Sequence, residues 1–341
     1  MSNRYLIDCD NPDAGIGHSM GILNRAIKIA MRNDLLLAYS ENQLVKSTEN
    51  SWKWKIRQNL RALRGKKRDE THNIGNDLNL LLNPKNLLTP REEIEKRIKS
   101  SELKTIEIPL FELHIPSNEQ LDDVVYKQID EFINLHSEPN LVFKIRNNRF
   151  GDYEYASSRQ WFLKAYEMAR EQYPLPLQYD SERLNIAIHI RRGDLLPGRQ
   201  FSDLSSRMLP DSWYLNIIES ISQVATKPLV IHIFSEGRNG QYISELGNPF
   251  SWREFFRYAP YDVTEHIDES FIEAFHCLMN ADILIGTKSG MTHLAGMLGN
   301  QIKIAPTMWH SYRGANKVIE IGGPPGQLDQ ESIKDQLKQY L

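Results

Sequence analysis

The stretch Leu184-Asn-Ile-Ala-Ile-His-Ile-Arg-Arg-Gly-Asp194 decides how this chain is read. From Leu184 to Ile190 isoleucines alternate with small or polar residues, which predicts a buried strand of a parallel sheet. Side chains on a strand alternate faces, so His189 and Arg191 point to one side. Arg192 points to the other, two residues from Asp194 and able to pair with it. Ligands of open α/β sheets bind beyond the carboxyl ends of the strands, where these polar groups fall. A guanidinium there matches two oxygens of a phosphate or carboxylate at once. The plainer alternative is an arginine pair making surface ion pairs. Surface arginines do not usually follow directly from a buried strand in company with His, Gly and Asp.

Two further apolar strands follow. Leu229 to Phe234 ends in Ser235-Glu236-Gly237, and Ile283 to Ile285 leads through Gly286-Thr-Lys-Ser-Gly290 into a helix from Met291 to Leu298. All three strand ends are expected at one sheet edge. A helix starting in Ser-Gly-Met-Thr-His presents unpaired backbone N–H groups and a positive dipole end. Ser289 and Thr292 add hydroxyls. Opposed to Arg191, this makes a two-sided grip on a diphosphate that needs no metal. His293, one turn in, either faces the ligand or satisfies a neighbouring carbonyl. Met291, Leu294, Ala295 and Leu298 read as core, and His232, inside a strand, as a buried structural histidine.

The amino-terminal part opens the same way. Tyr5 to Asp8 is a strand, Asn11 to Gly21 a glycine-rich turn, Ser19 to Met31 a helix with Ile22, Leu23, Ala26, Ile27 and Ala30 on one face, and Leu35 to Tyr39 a second strand. Strand, turn, helix, strand begins a βαβ domain. Gly15 and Gly17 permit close backbone approach to a ligand. His18 is a candidate general base at the start of the helix, or else the capping residue of a tight turn. Asp8-Cys-Asp10 has the form of a metal-holding Asp-x-Asp element, but no further ligand follows at suitable spacing. Leu141 to Ile145 is another strand, and Ser158 to Arg170 a helix with Trp161, Ala165 and Met168 or Ala169 inward. Pro174-Leu-Pro-Leu-Gln-Tyr-Asp-Ser181 is the linker, so domains are expected at 1–175 and 184–328, with a final helix over 329–341 that could cross back.

Composition bounds the class. The chain has 341 residues, 40% hydrophobic and 25% charged, with a formal net charge of −3. That is an ordinary soluble protein with no global attraction to nucleic acid or anionic membrane. Two cysteines, Cys9 and Cys277, are too few for a disulfide framework and fit a reducing, cytoplasmic setting. No apolar run is long enough to span a bilayer. The basic region 52–68 is read as a solvated helix and loop, with peripheral contact to the inner face of the membrane as the alternative.

His189-Ile-Arg191-Arg192-Gly-Asp194 after a strand resembles the His-x-Arg-Arg-x-Asp motif of the fucosyltransferase superfamily, which includes α1,2-, α1,6- and protein O-fucosyltransferases. Gly15-Ile-Gly17-His18 resembles that group's early Gly-x-Gly turn, and Ala281 to Ser289 its late strand leading into serines and a helix. The late segment Thr287 to Gly299 is equally similar to the Gly-x-x-His-Leu-Ala-x-x-x-Gly segment of heptosyltransferases. The three landmarks keep the family's order and span residues 15 to 296. The resemblance implies an α/β GT-B fold, two Rossmann-like domains with parallel sheets facing across a cleft. It implies metal-independent transfer of fucose from GDP-fucose with inversion, with no cofactor beyond the nucleotide-sugar substrate. Arg191 would hold the donor diphosphate, and His189 would lie near the nucleotide. The family's guanine-reading aspartate has Glu273 and Ala274 as its nearest equivalents here.

The expected donor set is therefore Gly15, Gly17, His189, Arg191, Ser235, Glu236, Glu273, Ser289, Gly290, Met291, Thr292 and His293. The catalytic candidates are His18, Arg191 and Asp194, with Asp194 as second choice of base. The acceptor is a hydroxyl, expected on a glycan or glycoconjugate. Two other classes fit the same residues: a sugar-nucleotide epimerase, which forms product from donor alone, and a silent nucleotide-sugar binder, in which His18→Ala changes nothing.

Overall fold

The computed structural model describes residues 4–8, 16–40, 74–111, 123–146, 151–177, 179–196, 202–307, 310–322 and 328–341. The chain divides into two compact units, Met1–Pro174 and Leu175–Leu341. The break falls within the proline-spaced stretch. Each unit is an α/β domain built on a parallel sheet. Among the described residues no helix is long and apolar enough to cross a membrane.

In the first unit β1 (Tyr5–Ile7), β2 (Leu36–Tyr39), β3 (Thr89–Pro90), β4 (Lys104–Glu107) and β5 (Leu141–Lys144) form a sheet in the order β3-β2-β1-β5-β4. Its helices are α1 (Ile16–Arg32), α2 (Ile74–Leu82), α3 (Arg91–Lys99), α4 (Asp123–Asn134) and α5 (Arg159–Gln172). The apolar period of α1 buries Ile22, Leu23, Ala26, Ile27 and Ala30 as expected. Met20 and Ile29 are buried too, because α1 packs on the sheet and also on α4. The helix starts three residues before Ser19, which puts His18 inside its first turn. In α5 the inward residues are Phe162, Ala165, Tyr166 and Ala169. Trp161, expected inward, is only half-buried and meets the Phe162 ring edge-on, with centroids 5.2 Å apart.

The second unit contains β6 (Leu184–Ile190), β7 (Leu229–Ser235), β8 (Asp262–Ile267), β9 (Ile283–Ile285), β10 (Ile302–Pro306) and β11 (Val318–Ile321). The order is β11-β10-β9-β6-β7-β8, all parallel. The chain runs outward from β6 through β7 to β8, then returns to the other side of β6 with β9. Strand order therefore reverses between β6 and β9, and a crevice at the carboxyl ends of such a pair is where open α/β sheets take ligands.

Five helices complete this unit: α6 (Asp211–Ser222), α7 (Trp252–Phe255), α8 (Phe271–Asn280), α9 (Gly290–Leu298) and α10 (Gln330–Leu337). Ile186, Ile188 and Ile190 are fully buried in one core with Trp213, Ile217 and Ile221 of α6. Each such side chain contributes roughly 2 kcal/mol by burial. Helix α10 packs on α6 and sends Ile333 and Leu337 into this same core, so its apolar side is buried in the second unit.

His232 is a structural residue of this sheet. It is 6% exposed, packs on the Tyr179 ring at 4.8 Å, and its Nδ1 lies 3.1 Å from Nε2 of His266. His266 in turn reaches Glu269 at 2.9 Å. Burial, helped by repulsion from His266, pushes the His232 imidazole down to about 4. In the unfolded chain it titrates near 6.5, so between these values the unfolded state binds the extra proton and stability falls with pH. The loss is complete near pH 4 and amounts to about 3 kcal/mol. His310, lowered to about 3 by burial and by His293, acts in the same direction. Asp211, raised to about 6, acts in the opposite one. The expected result is that His232→Phe flattens the decline in urea-unfolding stability between pH 6.5 and 4 relative to the parent. Parallel curves for the two proteins would contradict it.

Candidate functional site

The site begins where β6 leaves the core. His189 and Arg191, on one side of the strand end, both turn toward the connection that follows β9. Nδ1 of His189 hydrogen-bonds Oγ1 of Thr292 in the first turn of α9. Nη1 of Arg191 donates to the carbonyl oxygen of Lys288 at 3.3 Å. The arginine and the helix start are thus brought together on either side of the strand-order reversal.

The helix start itself is open. Ser289 is its N-cap, yet its side chain makes no capping hydrogen bond, and the first helical bond runs from His293 N to Ser289 O at 3.0 Å. The amides of Gly290, Met291 and Thr292 come before that bond, and such groups carry the positive end of the helix dipole. Ser289 N–H itself is committed to Thr287 O at 2.8 Å. Thr292 differs from expectation, since its hydroxyl orients His189. Met291, expected in the core, is half-buried at the helix start.

His293 turns the other way. It is 1% exposed, its Nε2 lies 2.8 Å from the Ser311 carbonyl, and its ring meets Tyr312 edge-on at 4.8 Å. Of the two readings open for it, the carbonyl partner is the one found. Ser235 is also committed to the fold: Oγ donates to Ile190 O at 2.7 Å, fastening the end of β7 to β6. Glu236 is exposed beside the motif loop. A Cβ on Gly193 would lie 1.7 Å from Oε2 and 2.5 Å from Cβ of Glu236, so only glycine lets the loops after β6 and β7 touch. Glu273 stands exposed in the first turn of α8, which starts at the same sheet edge.

Arg192 has a partner outside the motif. Its side chain is fully buried on the opposite side of the strand and pairs with Asp211 at 2.7 Å. The same guanidinium donates to Leu209 O at 2.9 Å and to Arg191 O at 3.2 Å, and Glu245 lies 3.8 Å away. Tyr242 donates a short hydrogen bond to Asp211. Burial opposes the charge on Arg192, but Tyr242, Tyr214 and Asp211 outweigh it and hold the guanidinium above its ordinary range. Burial, with Glu245 close by, raises the Asp211 carboxyl to about 6, against the pull of Arg192. Arg192 thus anchors the backbone from which Arg191 projects. The side chain of Asp194 lies outside the described residues.

In the first unit Gly17 and His18 occupy the first turn of α1, at the carboxyl end of β1. Nδ1 of His18 lies 2.8 Å from the hydroxyl of Tyr153. Asp8 is held by Arg25 at 2.7 and 2.9 Å, both side chains buried, so this carboxylate serves an internal ion pair. Gly15, Cys9, Asp10 and the basic region 52–68 lie outside the described residues. Sequence reading had no means to find Tyr153 or Asp211. Neither stands in a motif, and their partners are 135 and 19 residues away.

No protein-family model and no curated protein sequence matches the chain. Among solved structures it is similar to Arabidopsis thaliana FUT1 in complex with GDP, at 12% identity over 96% of this chain and 73% of that one, with a TM-score of 0.43. It is similar to E. coli heptosyltransferase WaaC with ADP, at 10% identity over 99% and 100% of the two chains, TM-score 0.38. Acinetobacter baumannii MurG is similar at 11% identity over 99% and 90%, TM-score 0.33.

Proposed function

We propose that this protein is a glycosyltransferase that moves a sugar from a nucleotide sugar to a hydroxyl acceptor on a glycan or glycoconjugate. GDP-fucose is the proposed donor, and the motif His189-Ile-Arg191-Arg192-Gly-Asp194 is what supports it. The observation that carries the reading is the meeting of Arg191 with the uncapped start of α9 at the strand-order reversal of the second unit. A fixed guanidinium and a row of open amides complement a diphosphate whose charge grows as it leaves. Together they give the leaving group its positive partners from the protein itself, and the proposed reaction is accordingly metal-independent.

In the proposed step the acceptor oxygen bonds to the anomeric carbon as the bond from that carbon to the diphosphate oxygen breaks. The electron pair leaves with the nucleoside diphosphate against Arg191 and the amides of Gly290, Met291 and Thr292. The acceptor proton passes to a general base, for which His18 is the proposed residue. Attack opposite the leaving group inverts the carbon. General-base assistance of this kind supplies about 10²–10⁴ in rate. The reaction is proposed for the cytoplasm.

The test is a thermal-shift comparison of GDP, UDP, ADP and CMP, followed by transfer assays with GDP-fucose and mixed glycan acceptors. GDP is expected to raise the melting temperature most, and transfer is expected to persist in EDTA. Failure of all four nucleotides to stabilise the protein would refute the donor site, and product formed from donor alone would indicate epimerisation.

A further inference from the structure

The segment 151–158 of the first unit is fastened to α1 by more bonds than a connecting loop requires. The Asp152 amide donates to Gly21 O at 2.9 Å. The side-chain amide of Asn24, fully buried, donates to Asp152 O at 2.8 Å and to Glu154 O at 2.9 Å, gripping the carbonyls that flank Tyr153. Lys28 reaches the Asp152 carboxylate at 2.8 Å and that of Glu154 at 3.0 Å, and Tyr126 donates a short hydrogen bond to Asp152. Ser158 adds a short hydrogen bond to Asn24.

The backbone is shaped to the Tyr153 ring as well. A Cβ on Gly21 would lie 2.8 Å from Cε1 of Tyr153 and 3.2 Å from the α-carbon of Gly151. A Cβ on Gly151 would lie 3.1 Å from the α-carbon of Gly21 and from the Tyr153 hydroxyl. Two glycines therefore let the ring lie close against the backbone of α1. Asp152 and Glu154, on either side of Tyr153, are both tied down, while Tyr153 itself is half-buried and its hydroxyl lies 2.8 Å from Nδ1 of His18. The rings are 6.5 Å apart and tilted by 41°, so contact is made through the hydroxyl and not by stacking.

We infer that Tyr153 is the positioning residue for His18. It accepts a hydrogen bond from Nδ1–H and thereby fixes the tautomer and ring direction in which Nε2 carries the lone pair. The hydrogen bond at one imidazole nitrogen decides which form the other takes. A base acting through Nε2 needs that tautomer, whereas an unconstrained imidazole in water favours the one with hydrogen on Nε2. This deepens the proposed transferase reading, on which the role of His18 as base rests.

The experiment is two-bond ¹H–¹⁵N correlation of the full-length, ¹⁵N-histidine-labelled protein at neutral pH, with the His18 signals assigned by their loss in His18→Gln. The parent is expected to show His18 in the Nδ1–H form. Tyr153→Phe, which keeps the ring, is expected to convert it to the Nε2–H form. Gly21→Ala, which displaces the ring but keeps the hydroxyl, is expected to do the same. In the transfer assay Tyr153→Phe should lower kcat about 10²-fold with KM for the donor unchanged. A His18 tautomer identical in parent and Tyr153→Phe overturns the inference, whatever the activity. A tautomer that switches in a protein with no transfer activity upholds the positioning and refutes the transferase reading instead.

Discussion

Arg191→Ala is expected to reduce transfer by about 10²–10³-fold in kcat while leaving the protein folded. The side chain is half-buried at the loop after β6 and is not part of the apolar core, so truncation leaves that core intact. On the proposed reading, what is lost is a positive charge aimed where the leaving diphosphate gathers negative charge, an effect of about 3–4 kcal/mol on the barrier. The start of α9 remains in place, so the variant should keep weak nucleotide binding. Arg191→Lys should recover little, because a single ammonium cannot match two oxygens with a fixed fork. The measurement is initial rate with saturating donor beside a thermal melt. A variant that turns over at the parental rate would remove the donor assignment altogether.

Arg192→Met is expected to act through stability. The guanidinium is fully buried, and its removal strands Asp211 and deletes the donors to Leu209 O and Arg191 O. Breaking a buried ion pair from one side costs about 3–5 kcal/mol, chiefly because the remaining charge loses its partner. Urea unfolding followed by intrinsic fluorescence should show that loss, since Trp213 and Trp252 lie in the same unit. The double variant Arg192→Met with Asp211→Leu should recover much of it, since two apolar groups replace a desolvated pair. Recovered stability is not expected to restore activity in full, because the anchor on the Arg191 carbonyl stays lost. Two adjacent arginines of one motif would then separate cleanly, one affecting rate and the other affecting folding. Equal effects of both variants on stability would show that this division of labour is mistaken.

The parallel-sheet architecture was written in the amino-acid pattern, and so was the sheet edge where His189 and Arg191 meet the segment after β9. The strands read from sequence, from Tyr5 to Asp8 through Ile283 to Ile285, are all interior strands of the two sheets. A strand buried on both faces must be a continuous apolar run, and such runs are visible without knowing what they pack against. The strands that escaped reading, β3, β4, β8 and β11, are the four sheet edges. Sequences such as Lys104-Thr-Ile-Glu107 and Asp262-Val-Thr-Glu-His-Ile267 leave one side to solvent or to loops, and their polar residues hide them.

The loop after β6 divides the same way. Alternation alone set His189 and Arg191 apart from Arg192, and a glycine-bounded helix after β9 announced open amides. Which groups those side chains meet was decided elsewhere. Arg192 meets Asp211 because burial on the α6 side put that carboxylate at the right distance, and His293 turned to Ser311 because the fourth residue after the N-cap faces the core. Tyr153 reached His18 only because Gly21 and Gly151 allow two distant backbones to touch. Period and composition act along the chain, so the sequence by itself determined the strands, the helix starts and the charged fork at a strand end. Partnership acts through space, between residues that close approach brings together, and only the tertiary structure decided it.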